Sequence, residues 1–287
     1  MISATKINLV IIFILIGLTK TFAQDSFQQQ FDLAKKLYDE EKYFDAVTEF
    51  KRLLYFDKSG NYDYEANMLM GNSYKQGAKF SDAIQHFSEA GMNAKKNEEV
   101  FESKIEIIKI NILRRTTERA LKLLENLEAD KRFNTNHAEI NYWRGWTYIF
   151  ADDWEKASQE FALIDSTHFL KTFCDSVGND LYNVTLAKAL SIIPGLGQFY
   201  TGEYVSGFIS LGWNVLWGYL TVNALSKDRV FDGVMIGALL WYRFFDGNLQ
   251  NAQKFAHRKN LEITNAAMRY LQNQYNGSKP LKFFELK

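Results

Sequence analysis

The chain is poor in residues that cross-link or interrupt a fold. Cys174 is its single cysteine, and Pro194 and Pro280 are its only prolines. One cysteine excludes an intramolecular disulfide and any cysteine-based zinc site. Two prolines leave long stretches free to be helical. Net charge is missing as well. Lys plus Arg and Asp plus Glu each total 34, so no global basic field draws nucleic acid to the chain. His86, His137, His168 and His257 are scattered without an HExxH or i,i+4 pairing. No metal and no cofactor is expected.

What is present begins with an apolar run. The first residues carry one early cation, Lys6, then an apolar core from Leu9 to Leu18, then a polar stretch. The core is short for a bilayer span and has the length of a signal-peptide h-region. Thr21 and Ala23 place small residues two apart just before Gln24. This predicts a signal peptide over residues 1–23 and an exported chain; an uncleaved N-terminal anchor is the alternative.

An internal period follows over residues 24–165. Ala46, Ala83, Ala120 and Ala157 stand 37 residues apart. Four residues after each stands Phe50, Phe87, Leu124 or Phe161. Twelve residues before each stands Ala34, Gly71, Ile108 or Gly145, and three residues on from these come Leu37, Tyr74, Asn111 and Tyr148. Two helices approach closely only where each offers a small side chain, with large apolar residues filling the space beside the contact. The expectation is an all-α solenoid of about four helix pairs. Three stretches, "DKSGN" (57–61), "NAKKN" (93–97) and "DKRFNTN" (130–136), are the candidate connecting turns.

The pattern resembles the tetratricopeptide repeat, best seen in "GNSYKQGAKFSDAIQHF" and "GWTYIFADDWEKASQEF". That resemblance implies a concave groove lined by the first helix of each pair. Its groove positions here are Lys35, Asn72, Lys109 and Trp146, with Lys75 nearby. The donors among them suit an acidic peptide or a C-terminal carboxylate, although the full carboxylate-clamp pattern is absent. Solvated lysines on helix faces are the alternative.

After a capping helix or linker at 166–183, "SIIPGLGQFYTGEYVSGF" (191–208) poses a choice between a phosphate loop and a membrane doorway. A P-loop requires GxxxxGK[ST], but Glu203 follows Gly202. A dinucleotide fingerprint requires glycine where Tyr200 stands. The stretch therefore reads as a glycine-rich turn after a short apolar helix ended by Pro194. Tyr204 to Ser226 carries no charge, and after "KDR" (227–229) comes a second apolar segment, Val230 to Phe245. Gly233 and Gly237 form GxxxG there, facing the small or polar steps Ser206, Ser210 and Asn214. A membrane-embedded helical hairpin over 184–247 is expected, with a buried helical hairpin of a soluble fold as the alternative, and an amphipathic basic tail over 248–287.

"GQFYTGEYVSGF" resembles the TM2 domain, a two-helix membrane hairpin, although the His-Arg pair common before its aromatics is lacking. The carried-over positions are Phe199, Tyr200, Gly202, Gly207 and Asp246, beside Pro194, Gly195 and Gly197 of the turn. "PGLGQFYTG" is also similar to bacterial envelope proteins of uncharacterised role. The resemblance implies an architecture and no reaction. Glu40, Glu41, Asp152 and Asp153 fall in helix-connecting turns, and no nucleophile–base arrangement is recognisable, so no enzyme is expected. The expected function is an envelope scaffold that binds a protein or peptide through its groove and lipid through its hairpin, with the repeats periplasmic. The alternative is an accessory factor in membrane-protein biogenesis or transport, with the hairpin as the working part. The tail's topology, two or three crossings, stays open.

Overall fold

The computed structural model describes residues 26–280; the expected signal peptide lies outside them. Among the described residues every regular element is helical. They divide into two compact units, one running to Ser166 and including Lys279 and Pro280, the other from Thr167 to Ser278.

The first unit is a row of helix pairs. Helix α1 (26–39) precedes α2 (Tyr43–Phe56), α3 (Asp63–Gln76), α4 (Phe80–Asn93), α5 (Asn97–Leu113), α6 (Thr117–Ala129), α7 (His137–Phe150) and α8 (Trp154–Ala162). Each packs on the next, and α5 also touches α3 and α7, so the first helices form a row of their own. The four alanines at the 37-residue steps occupy equivalent places in α2, α4, α6 and α8 and are fully buried, as are Phe50, Phe87, Leu124 and Phe161. The glycines explain the spacing. A Cβ on Gly71 would lie 2.7 Å from Cδ1 of Phe87, and one on Gly145 2.6 Å from Cζ of Phe161. The rings of Phe87 and Phe161 thus occupy the space that a side chain at Gly71 or Gly145 of the preceding helix would fill.

The turns inside the pairs are just as regular. Residues 40–42, 77–79, 114–116 and 151–153 each reverse the chain, with Glu41, Ala78, Arg115 and Asp152 at φ of 60°, 55°, 55° and 59°. In each, the following N–H returns to a carbonyl five residues back, as from Lys79 to Tyr74 at 2.9 Å. This is the Schellman arrangement that satisfies the last carbonyls of a helix. The connections between pairs are longer at 57–62 and at 130–136, the latter including a 3-10 turn at Lys131–Phe133. At 94–96 only three residues intervene, because α5 runs to 17 residues and absorbs the surplus.

The second unit holds α9 (Phe169–Asp180), α10 (Val184–Leu190), α11 (Leu196–Tyr200), α12 (Tyr204–Leu225), α13 (Val230–Ile236), a π turn at Gly237–Trp241 and α14 (Tyr242–Asn273). Helix α10 starts where Asn183 Oδ1 accepts from the Leu186 N–H at 2.9 Å, a normal N-cap. Gly195, at φ 92°, opens α11. Gly202 at φ 77° and Asp228 at φ 56° make the turns on either side of α12. Helix α14 rests on α9, α10, α11 and α12, burying Ala252, Ala256, Ala267 and Leu271.

Two expectations change here. The second apolar segment and the basic tail are not separate: α13, the π turn and α14 form a continuous helical path across the boundary drawn at 247/248. And no helix among the described residues is long and apolar enough to cross a membrane, where two spans were expected. Helix α12 has the length, but Trp213, Asn214, Trp217, Tyr219, Thr221 and Asn223 dilute its apolar character. In the second segment α13 is only seven residues long, and Arg243 and Asp246 follow within the next turns.

Candidate functional site

In the first unit the first-helix row is stitched by polar contacts at each step. Lys35 of α1 reaches Glu65 of α3 at 3.4 Å. Tyr64 of α3 donates to Glu102 of α5 at 2.8 Å, and Lys75 of α3 pairs with Glu106 of α5. Lys109 donates to the other oxygen of Glu106 at 2.5 Å and lies 4.5 Å from the ring centroid of Trp143 on α7. Burial alone would raise the Glu106 carboxyl; the charges of Lys75 and Lys109 outweigh it and hold the pKa below the usual range. Burial, reinforced by the bond to Glu102, pushes the Tyr64 phenol well above its ordinary value.

Of the groove positions read from the sequence, Lys75 and Lys109 therefore meet, but on an internal carboxylate. Lys35 is exposed beside Glu65 and Asn72 is half-buried. Trp146 is buried at 2 % exposure and packs beside Phe150. Glu106 and Trp143 were missed; their positions three residues before Lys109 and before Trp146 were the available signal.

The second unit brings the glycine-rich stretch together around Asn248, 2 % exposed. Its Nδ2 donates to the Ser191 carbonyl at 2.6 Å. Its Oδ1 accepts from the Gly195 N–H at 3.0 Å, from Gln198 Nε2 at 3.0 Å and from Ser210 Oγ at 2.7 Å. One amide thus ties the turn before α11, α11 itself and α12 to α14. The expected packing glycines supply the closeness this needs. A Cβ on Gly195 would sit 2.6 Å from the Gly207 carbonyl oxygen, one on Gly197 2.7 Å from Ala252 Cβ, and one on Gly207 2.6 Å from Cδ1 of Phe199.

Pro194 stands in the connection just before Gly195, and Tyr200 uses its hydroxyl to accept from the Asn183 N–H at 3.0 Å. Further along, Gly233 faces Leu225 and Gly237 faces Thr221, so the GxxxG step seats the C-terminal end of α12. Asp246 instead accepts from Gln250 at 2.7 Å and takes no part in the clasp. Beyond Asn248, α12 and α14 border a cavity of about 300 Å³ that includes Ser210, Asn214 and Arg243.

The outer faces of α12 and α13 are apolar. Val205, Phe208, Val215, Tyr219, Val222, Phe231 and Val234 are all more than half exposed, and no charged residue interrupts α12. No group of metal-ligating side chains gathers among the described residues. No known family, no curated protein and no solved structure matches the chain.

Proposed function

We propose that the chain is a membrane-associated scaffold of the cell envelope. In this reading a tetratricopeptide-type solenoid, exported behind its signal peptide, holds a protein or peptide along its first-helix row. A TM2-like hairpin embeds in lipid as the tether, without a helix that crosses.

The observation that supports the reading is the hairpin's surface. A water-facing protein seldom exposes a contiguous apolar patch beyond a few hundred Å², and a helix apolar on nearly all sides belongs in a core or in lipid. Here the charges stand only at the ends of α12, Glu203 before it and Lys227 to Arg229 after it. Lipid covers such a rod at little cost.

The test is fractionation of the full-length protein against the triple variant Phe208→Glu, Val215→Glu, Val222→Glu. All three side chains are exposed, so the fold survives the change. The wild type is expected to stay with membranes through an alkaline carbonate wash and the variant to enter the wash. Recovery of the wild type in the wash would sink the tether.

The alternative role in membrane-protein biogenesis or transport is favoured by one feature: an anchor has no use for the polar cavity around Ser210 and Asn214. Deleting residues 184–247 separates the two. A scaffold keeps its partner in a pull-down, whereas a biogenesis factor loses its activity entirely.

A further inference from the structure

Resting on the lipid-embedded reading of the hairpin, we propose that the cavity between α12 and α14 is a binding site for the head of a phospholipid. The class is a phosphodiester carrying a hydroxyl donor, as in phosphatidylglycerol.

Three observations carry it. First, Arg243 borders the cavity and pairs with no carboxylate among the described residues. A guanidinium matches phosphate oxygens with two parallel donors. Second, Asn214 also lines the cavity and is only 4 % exposed; its Nδ2 donates to the Ser210 carbonyl at 2.8 Å, while its Oδ1 is buried without a partner. A buried acceptor left unmade costs free energy, and a hydroxyl brought by a ligand repairs it. Third, the wall is divided. Ser210, Asn214 and Asn251 are polar, while Ile209 and Trp213 continue onto the exposed apolar face of α12. A soluble anion has no use for that half; an acyl chain leaving a bound head does.

The volume, about 300 Å³, is at the lower end for small-molecule sites and suits a head group rather than a whole lipid. The amide of Asn248 is consumed by the clasp and serves as the rigid floor. Phosphatidylcholine offers the same phosphate with no donor for Asn214, so the site discriminates between two abundant head groups by hydrogen-bond chemistry as well as charge.

The experiment is flotation of the full-length protein with vesicles of phosphatidylcholine alone and of an equal mixture with phosphatidylglycerol. The wild type is expected to float with both and to bind the mixture about tenfold more tightly, the scale of one charge-assisted contact. Arg243→Gln is expected to lose the preference while still floating, because the exposed apolar face of α12 carries the basal binding. Arg258→Gln, a cation outside the cavity, is expected to keep it. Asn251→Asp, an exposed position, places a negative charge at the cavity wall and gives a second route to the same loss.

A preference that persists in Arg243→Gln and Asn251→Asp, or is absent from the wild type, overturns the site and leaves the membrane reading standing. Failure of the wild type to float on any vesicle overturns both. Excess glycerol 3-phosphate is expected to leave the preference intact; if it erases it, the site takes a soluble phosphate ester and the lipid assignment falls.

Discussion

The amide of Asn248 and the carbonyl of Ser191, 57 residues apart in the chain, are joined by a 2.6 Å hydrogen bond in a fully buried setting. Asn248→Leu would remove this bond and three more, stranding the Ser191 carbonyl, the Gly195 N–H and the Ser210 hydroxyl, while Gln198 Nε2 keeps its bond to the main-chain carbonyl of residue 248. Each stranded group costs about 1–3 kcal/mol. The expected loss is about 3 kcal/mol or more in the unfolding of the second unit, read by chemical denaturation. A loss below about 1 kcal/mol would mean that water replaces the amide and the clasp is not structural.

Glu106 makes the first unit acid-sensitive. Its folded pKa is depressed below the ordinary carboxylate value, so the unfolded state binds its proton at the higher pH. The stabilisation is present above the unfolded pKa and is lost as pH falls through the depressed folded value. Glu106→Gln is expected to flatten the fall in stability over that acid window. At neutral pH it costs about 3 kcal/mol, because Lys75 and Lys109 are left buried without their counter-charge. Denaturation at a series of pH values gives both results.

Ala78 sits at φ 55° in a turn repeated at 37-residue steps, where an L side chain costs about 1 kcal/mol and glycine nothing. Ala78→Gly is therefore expected to stabilise the first unit by somewhat under about 1 kcal/mol, since glycine also gains freedom in the unfolded chain. Ala→Gly ordinarily destabilises a helix, so the sign alone decides the matter in a thermal melt.

Gly145 gives the opposite case. With Cζ of Phe161 2.6 Å from where its Cβ would stand, Gly145→Ala overpacks the α7–α8 contact at a cost of about 1–3 kcal/mol. Adding Phe161→Leu should recover part of that loss. Purely additive effects in the double-mutant cycle would show that the two positions are not the contact described.

Cys174 is fully buried in α9, and burial pushes its thiol up to about 12. Thiolate is the reactive form, so a thiol-specific reagent near neutral pH should label the native protein far more slowly than the denatured one. Equal rates would place the side chain outside the core.

The repeat was legible because close packing of two helices leaves a written trace: a small residue, then an apolar one four places on, at each step. The turns at Glu40–Glu41 and Asp152–Asp153 were legible too, but their backbone was not, since Glu41, Ala78, Arg115 and Asp152 adopt a left-handed conformation without the glycine that normally advertises it. Their own 37-residue spacing was the unused clue. In the second unit, the turn glycines pointed to close approach, and the backbone does meet there. The residue that fastens them, Asn248, was hidden at the start of a segment read as an amphipathic basic tail. Asn248 continues the four-residue steps of Ala252 and Ala256, but a polar side chain does not register in a search for an apolar stripe; only the three-dimensional path reveals that it is enclosed. The same path explains the failed boundary, because no helix stop separates Phe245 from Asn248 apart from a single glycine.

The π turn at Gly237–Trp241 sets the angular phase of everything after it. In an unbroken α-helix Gly233 and Ala252 would point about 100° apart, at about 100° per residue. A π turn accommodates one residue more than an α turn, and that surplus cancels the drift. Gly233 can then seat Leu225 while Ala252 lies against Gly197. The five residues act as a gear tooth: removing one would leave both ends of the rod helical and turn the Asn248 face away from the groups it binds.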